Sequence, residues 1–202
     1  MSVSSFLNKD SKLYPSGLEG DAKTVGCWQD VLLSIEPEST PDDIVDPSLL
    51  GSDEVQKQQD FQYVMDVICS VPAGREVILE IMRLHFVLGY KDEAAEPAIY
   101  DAKSKKLMLS SQSDYALEDK AAFLVCQCAR AIQDSETAGQ ISEAEAKVVT
   151  SIFIAQIRML RPDIYEKMTF WKQDKLAGIC EHLYSSLKDW EKTAAELFKF
   201  CK

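Results

Sequence analysis

The sequence predicts an α+β protein that is mainly helical, with one small β-hairpin or sheet packed on the helices. Apolar residues recur at helical spacing through most of the chain after residue 52. Two short apolar runs, residues 98–100 and 107–110, flank a polar turn and are typical of a β-hairpin. A single hairpin is marginally stable alone, so we expect it to pack on neighbouring helices.

The 202 residues divide into three predicted parts. Residues 1–52 form an irregular, partly helical N-terminal extension, in which Thr40 and Pro41 are a helix-start signal. Residues 53–172 form the core. Residues 173–202 form a C-terminal amphipathic helix packed on that core.

Four helices are predicted within the core, over residues 53–69, 75–88, 117–133 and 142–160. Gly89 is well placed to end the second helix. The third is so apolar that we expect it at the centre of the core. Residues 142–145 read Ser-Glu-Ala-Glu, a capping-box signature for the start of the fourth helix, and Pro162 ends it.

The formal net charge of −11 excludes nucleic acid as an expected partner, because phosphate binding needs clustered Lys and Arg. It also disfavours anionic membrane surfaces and favours, weakly, basic partners. No apolar run approaches the roughly 20 residues that span a bilayer, and the N-terminus lacks the apolar region of a secretory signal. We therefore expect a soluble cytoplasmic protein, with export by a specialised secretion system left open.

The C-terminal segment carries apolar residues at alternating spacings of four and three, an a/d heptad pattern. The seam consists of Leu176, Cys180, Leu183, Leu187, Trp190, Ala194, Leu197 and Cys201. Two interpretations stay open. The seam either packs one long helix on the core or forms a coiled-coil face for a protein partner.

Few residues offer chemistry. The six cysteines are Cys27, Cys69, Cys126, Cys128, Cys180 and Cys201, and most lie in apolar runs typical of reduced, buried thiols. The spacing of Cys126 and Cys128 differs from the two-residue gap of common zinc and redox motifs. The two histidines, His85 and His182, have no catalytic flanking signature, and there is no P-loop or Gly-x-Gly-x-x-Gly motif.

Residues 74–160 resemble a bacterial group of zincin metallopeptidases that includes some secreted effector proteases. The segment starting at Gly74-Arg75 resembles their Gly-Arg-x-x-Leu opening, and the predicted hairpin resembles their edge hairpin. Residues 123–133, Phe-Leu-Val-Cys-Gln-Cys-Ala-Arg-Ala-Ile-Gln, resemble an active-site helix of the form Leu-Ala-His-Glu-Leu-Arg-His-Ala-x-Gln. The resemblance implies a zincin-like core.

The resemblance also implies which positions match the family's site. With the ending Arg-Ala-Ile-Gln as register, the first zinc-binding His falls on Cys126, the general-base Glu on Gln127, and the second His on Arg130. A downstream acidic ligand would be Glu143 or Glu145, and the sequence does not choose between them. These five positions are therefore a degenerate site, with no metal and no cofactor expected.

The replacements remove the chemistry. Arg130 is cationic and has no lone pair to offer a metal, and Gln127 keeps the size of Glu but cannot act as a base. Cys126 alone could still bind zinc, as a thiolate. We hypothesise that Arg130 pairs with Glu143 or Glu145 where the family holds its metal.

We therefore expect a catalytically inactive metallopeptidase-like protein that acts as an interaction or regulatory module. Two alternatives stay open. One is a hydrolase with relocated chemistry, using Cys126 or Cys128 with a histidine or acidic residues. The other is a helical partner-binding protein unrelated to peptidases, working through its C-terminal heptad helix.

Overall fold

The computed structural model describes residues 52–91, 96–111, 114–137 and 143–200. The predicted N-terminal extension, including the helix-start signal at Thr40, lies outside these residues except for Ser52, which begins the first helix. The elements, in chain order, are α1 Ser52–Cys69, α2 Pro72–Arg83, β1 Val87–Lys91, β2 Ala98–Asp101, β3 Lys106–Ser110, α3 Leu117–Thr137, α4 Glu143–Leu160, α5 Pro162–Tyr165, α6 Lys175–Leu187 and α7 Trp190–Phe200. The α+β, mainly helical class is confirmed.

The core is built around α3, as its apolar sequence predicts. This helix contacts α1, α2, α4 and the strands β2 and β3. Its partner α4 is buried over nearly three turns, from Val148 to Ile157. The bounds of α1 and α4 match the prediction closely, whereas α3 continues through residues 134–137, where the sequence indicates a polar loop.

The close contact between α1 and α2 requires a glycine. A Cβ atom built on Gly74 would lie 1.9 Å from the carbonyl oxygen of Ile68, well inside any permitted contact. The first turn of α2 therefore fits against the end of α1 only because residue 74 has no side chain. The same turn is held from α4, where the Oε1 atom of Gln156 accepts a hydrogen bond of 2.8 Å from the N–H of Ala73.

The prediction that Gly89 ends the second helix is wrong. The helix ends at Arg83, and His85 takes a left-handed φ of 58°. The N–H of His85 donates to the carbonyl of Met82, and the N–H of Phe86 donates to the carbonyl of Ile81. These two bonds form a Schellman motif, which closes a helix and turns the chain away from its axis.

The residues after this turn form β1, a strand that the sequence analysis did not predict. The sheet has the order β1-β3-β2, with β1 parallel to β3 and β2 antiparallel to it. Gly89 lies inside β1, opposite Met108. The predicted hairpin is confirmed as β2 and β3, with Ile99 opposite Met108, and it supplies two of the three strands of a mixed sheet.

The prediction of one long C-terminal helix is also wrong. Lys188 takes a left-handed φ of 52°, which ends α6, and α7 begins at Trp190. The two helices pack against each other and against α4, with the rings of Tyr184 and Trp190 stacked 3.9 Å apart. The heptad seam is therefore interrupted at the turn.

Most of the seam lies against the rest of the chain. Cys180, Trp190, Ala194 and Leu197 are buried, whereas Leu187 at the turn is exposed. This arrangement supports packing on the core and leaves little of the seam for a coiled-coil partner. Across the described residues, no helix combines the length and the apolar character that crossing a bilayer requires.

Candidate functional site

One face of α3 remains accessible while the others are buried. Its half-buried residues are Phe123, Cys126, Gln127, Arg130 and Asp134, which recur at helical spacing. The three α3 positions that match the zincin motif therefore lie together on the accessible face. All three side chains are half-buried and within reach of solvent.

Arg130 pairs with Glu143 across the α3–α4 loop. Its Nη2 atom lies 2.6 Å from Oε2 of Glu143, and the side chains are 30% and 61% exposed, respectively. The predicted pairing of Arg130 with an acidic residue is thus confirmed, and Glu143 is the partner, whereas Glu145 lies half-buried two residues further along α4. Burial lowers the pKa of Arg130, but the hydrogen bond and charge of Glu143, with that of Glu96, outweigh it and raise the pKa.

This donor set does not fit zinc. A guanidinium has no lone pair and repels a divalent cation, so it cannot occupy a ligand position. The carboxylate that could serve as the acidic ligand is already bonded to that guanidinium. Within the residues that the structure describes, no three His, Cys, Asp or Glu side chains come together as a metal-binding group.

The thiols on α3 are poor nucleophiles. Burial raises the pKa of Cys126, and this outweighs the lowering effects of Thr150 on α4 and of the charge of Arg130. Burial raises the pKa of the fully enclosed Cys128 even further. Because the thiolate is the reactive form, both side chains remain protonated and unreactive near neutral pH.

The two histidines do not join these thiols. His85 is exposed in the turn after α2, and His182 is exposed on α6. Cys180 is two residues before His182 on the same helix, but residues at that spacing do not share a face. Burial also raises the pKa of Cys180, to about 12. The described residues therefore bring no thiol and imidazole together as a catalytic pair.

The accessible face of α3 ends, on its N-terminal side, at an aromatic cluster. The rings of Tyr115, Phe123, Phe170 and Trp171 lie with their centroids 5.0–5.6 Å apart, mostly in edge-to-face arrangements. Phe170 is 50% exposed and Tyr115 is 37% exposed. These two residues are among the few large apolar side chains that are exposed in the described part of the chain.

An open groove of about 870 Å³ runs beside this cluster. Its lining includes the aromatic residues Tyr115, Phe170 and Trp171 and the acidic residues Asp114 and Asp174. The two carboxylate oxygens of Asp174 also accept hydrogen bonds within the chain, from the N–H of Leu176 and the hydroxyl of Ser151. The remaining lining residues are neutral and polar. We call this the aromatic–acidic groove. Its volume is within the range of roughly 300–1,000 Å³ that is usual for ligand sites.

A buried carboxylate holds one wall of the groove in place. Asp119, in the first turn of α3, has no exposed surface. It accepts four hydrogen bonds from the segment that carries the aromatic rings: two from Thr169, at 2.9 and 2.7 Å, and one each from the backbone N–H groups of Phe170 and Trp171, both at 3.1 Å. The rings therefore project from a fixed backbone.

Sequence reasoning missed both the groove and Asp119. Adjacent aromatic residues at 170 and 171, outside any helical pattern, were the available signal for an exposed cluster. The sequence around Asp119 contained no comparable signal, because an acidic residue in the first turn of a helix is ordinarily explained by the helix dipole.

Comparison with known proteins adds no assignment. The chain matches no protein-family model, and neither a curated protein sequence nor a solved structure is significantly similar to it.

Proposed function

We propose that this protein is a non-catalytic relative of zincin metallopeptidases that acts by binding another protein. The observation that carries the proposal is the ion pair of Arg130 with Glu143, at 2.6 Å. In the register of the resemblance, Arg130 replaces the second zinc-binding His. An ion pair at that position joins α3 to α4 by electrostatic attraction, which is the connection that a shared metal would otherwise make.

Two further features support this proposal. The order of elements from α2 to α4 is a helix, a small sheet with an edge hairpin, an apolar helix and a further helix, which agrees with the resemblance. The half-buried stripe on α3 keeps Cys126, Gln127 and Arg130 on an accessible face. That face and the adjoining aromatic cluster offer a surface for a partner, although the residues on it lack hydrolytic chemistry.

The alternative of a hydrolase with relocated Cys and His chemistry receives no support from the described residues. Cys126 and Cys128 are held as thiols by burial, and His85 and His182 lie on other elements. The alternative of binding through the heptad seam is weakened because Cys180, Trp190, Ala194 and Leu197 are buried within the chain.

Restoring the motif tests the proposed ancestry. The triple variant Cys126→His, Gln127→Glu, Arg130→His places two imidazoles one turn apart on one face, with Glu143 released to act as a ligand. We expect this variant to bind zinc stoichiometrically, measured by titration calorimetry and by metal analysis after dialysis. The matched control Cys126→Ala, Gln127→Glu, Arg130→Ala should bind none.

Two results would count against the proposal, each against a different part. A folded triple variant that takes up no more zinc than its control would contradict the proposed zincin ancestry. If the natural protein bound zinc stoichiometrically and Cys126→Ala abolished this binding, the non-catalytic assignment would be contradicted, because the thiolate would then be a zinc ligand.

A further inference from the structure

We propose that the aromatic–acidic groove binds an arginine side chain presented by an exposed segment of a partner protein. The inference rests on the proposed role as a binding protein, but it does not depend on peptidase ancestry. It concerns the N-terminal end of the accessible α3 face, whereas the zinc measurement reports on Cys126 to Arg130.

The composition of the groove selects a cation with a flat, weakly hydrated surface. The aromatic rings of Tyr115, Phe170 and Trp171 offer π faces, and the carboxylates of Asp114 and Asp174 supply negative charge beside them. A guanidinium stacks on aromatic faces and donates hydrogen bonds to carboxylates in its plane, which an ammonium does less well. The combination therefore fits arginine better than lysine.

The charge around the groove agrees with this choice. Among the residues that the structure describes, no Lys or Arg lines it. Lys172, which follows Trp171 in the chain, is bonded to the carboxylate of Glu166 at 3.0 Å and to its carbonyl oxygen. The buried Lys120 is attracted electrostatically to Asp114. However, its Nζ atom donates a hydrogen bond of 3.0 Å to the carbonyl oxygen of Ser110. A basic ligand therefore meets little competition from the lysines and arginines in the described part of the chain.

The rigidity of the wall favours binding. The backbone N–H groups of Phe170 and Trp171 are fixed by Asp119, so the ring positions are set before a ligand arrives. The net charge of −11 adds a long-range attraction that speeds the approach of a basic segment. A carboxylate-rich or nucleic-acid ligand would be repelled by the same charges.

The test uses the whole protein and a defined probe, the capped peptide acetyl-Gly-Arg-Gly-Arg-Gly-amide, titrated by calorimetry at about 0.15 M salt, where long-range surface charge is largely screened. The same peptide with citrulline in place of both arginines is the neutral control, and a lysine version separates guanidinium recognition from simple charge attraction. We expect the arginine peptide to bind more tightly than the lysine peptide, and the citrulline peptide to show no binding.

Variants locate the binding. Phe170→Ala removes an exposed ring and leaves the backbone N–H that donates to Asp119. Asp114→Asn removes an exposed negative charge. Each substitution should weaken binding of the arginine peptide about fivefold or more. Asp174 is not the residue to change, because it caps α6 through the N–H of Leu176. The control Glu196→Gln removes the same unit of charge on α7 and should change affinity less than about twofold.

Three results would overturn the inference. They are an absence of binding by the arginine peptide at millimolar concentration, equal binding of the citrulline peptide, and equal weakening by Glu196→Gln and Asp114→Asn. Light scattering gives a fourth outcome. A concentration-dependent dimer that Phe170→Ala abolishes would assign the groove to a second copy of this chain instead.

Discussion

The guanidinium of Arg130 lies 2.6 Å from the carboxylate of Glu143, joining α3 to α4 over the loop between them. Because the Arg130 side chain is 30% exposed and that of Glu143 is 61% exposed, water screens much of the attraction. The pair should therefore fix the relative position of the two helices more than it stabilises the fold.

A double-mutant cycle measures this contribution. We expect Arg130→Ala and Glu143→Ala to show a coupling free energy of about 0.5–1 kcal/mol in urea unfolding, falling as salt is raised. The pair Glu80–Arg83 within α2 is the control, since it is a surface interaction at (i, i+3) and should couple by about 0.2–0.5 kcal/mol. Equal coupling in the two cycles would show that Arg130 behaves as an ordinary surface arginine.

Asp119 should be among the most sensitive polar residues in the chain. Asp119→Ala would leave the N–H groups of Thr169, Phe170 and Trp171 without their acceptor. We expect a loss of roughly 2–4 kcal/mol in the free energy of unfolding. Asp119→Asn keeps one acceptor oxygen and should cost less. Urea denaturation of both variants is the measurement, and an alanine variant as stable as the natural protein would contradict the assigned role.

Gly74 permits the contact of α2 with α1. In Gly74→Ala the new methyl group would overlap the carbonyl oxygen of Ile68, so one helix must shift, at a cost of about 1–3 kcal/mol. Gly178→Ala is a matched control within α6, because its Cβ meets nothing within 4 Å. That control should raise stability by roughly 0.5–1 kcal/mol. Thermal unfolding of the two variants should therefore move in opposite directions.

The elements that the sequence predicted correctly are those whose conformation depends mainly on residues adjacent in the chain. The hairpin of β2 and β3 and the helices α1, α3 and α4 have periodic apolar patterns whose burial requires only the local element. β1 was missed because it pairs with β3 across some 19 residues, and its short apolar run continues the pattern of α2. Only the left-handed turn at His85 separates the two elements.

The candidate site divides in the same way. Its α3 positions follow from helical register alone, and the pairing of Arg130 with an acidic residue on α4 follows from charge. The choice of Glu143 over Glu145 required the relative placement of α3 and α4. Asp119 accepts hydrogen bonds from backbone groups 50–52 residues away in the chain, and no local sequence pattern predicts such bonds. The groove beside them could not be predicted for that reason.

The turn at His85 makes a prediction about stability. A non-glycine residue at a φ of 58° is strained, and His85 is exposed, so its side chain can be removed without opening the core. We expect His85→Gly to raise the free energy of unfolding by about 0.5 kcal/mol, after allowing for the greater freedom of glycine in the unfolded chain. His85→Ala should bring no such gain, and a destabilised glycine variant would contradict the expectation.

The buried thiols should make stability fall at alkaline pH. Burial raises the pKa of Cys180 to about 12 and raises that of Cys128, whereas an unfolded thiol titrates near about 8.5. The unfolded chain therefore loses these protons first as the pH rises, which favours unfolding. The stabilising contribution is complete below about pH 8.5 and is lost progressively above it, toward the folded pKa.

Urea midpoints measured between about pH 7.5 and 10 should therefore decline, and the decline should be shallower in Cys180→Ala, which lacks one of the titrating groups. Alkylation gives an independent readout, since iodoacetamide reacts with thiolates. In the folded protein at pH near 8, Cys128 and Cys180 should be modified far more slowly than after denaturation. Rapid modification of either residue in the folded chain would show that its thiol is neither enclosed nor held in the protonated form.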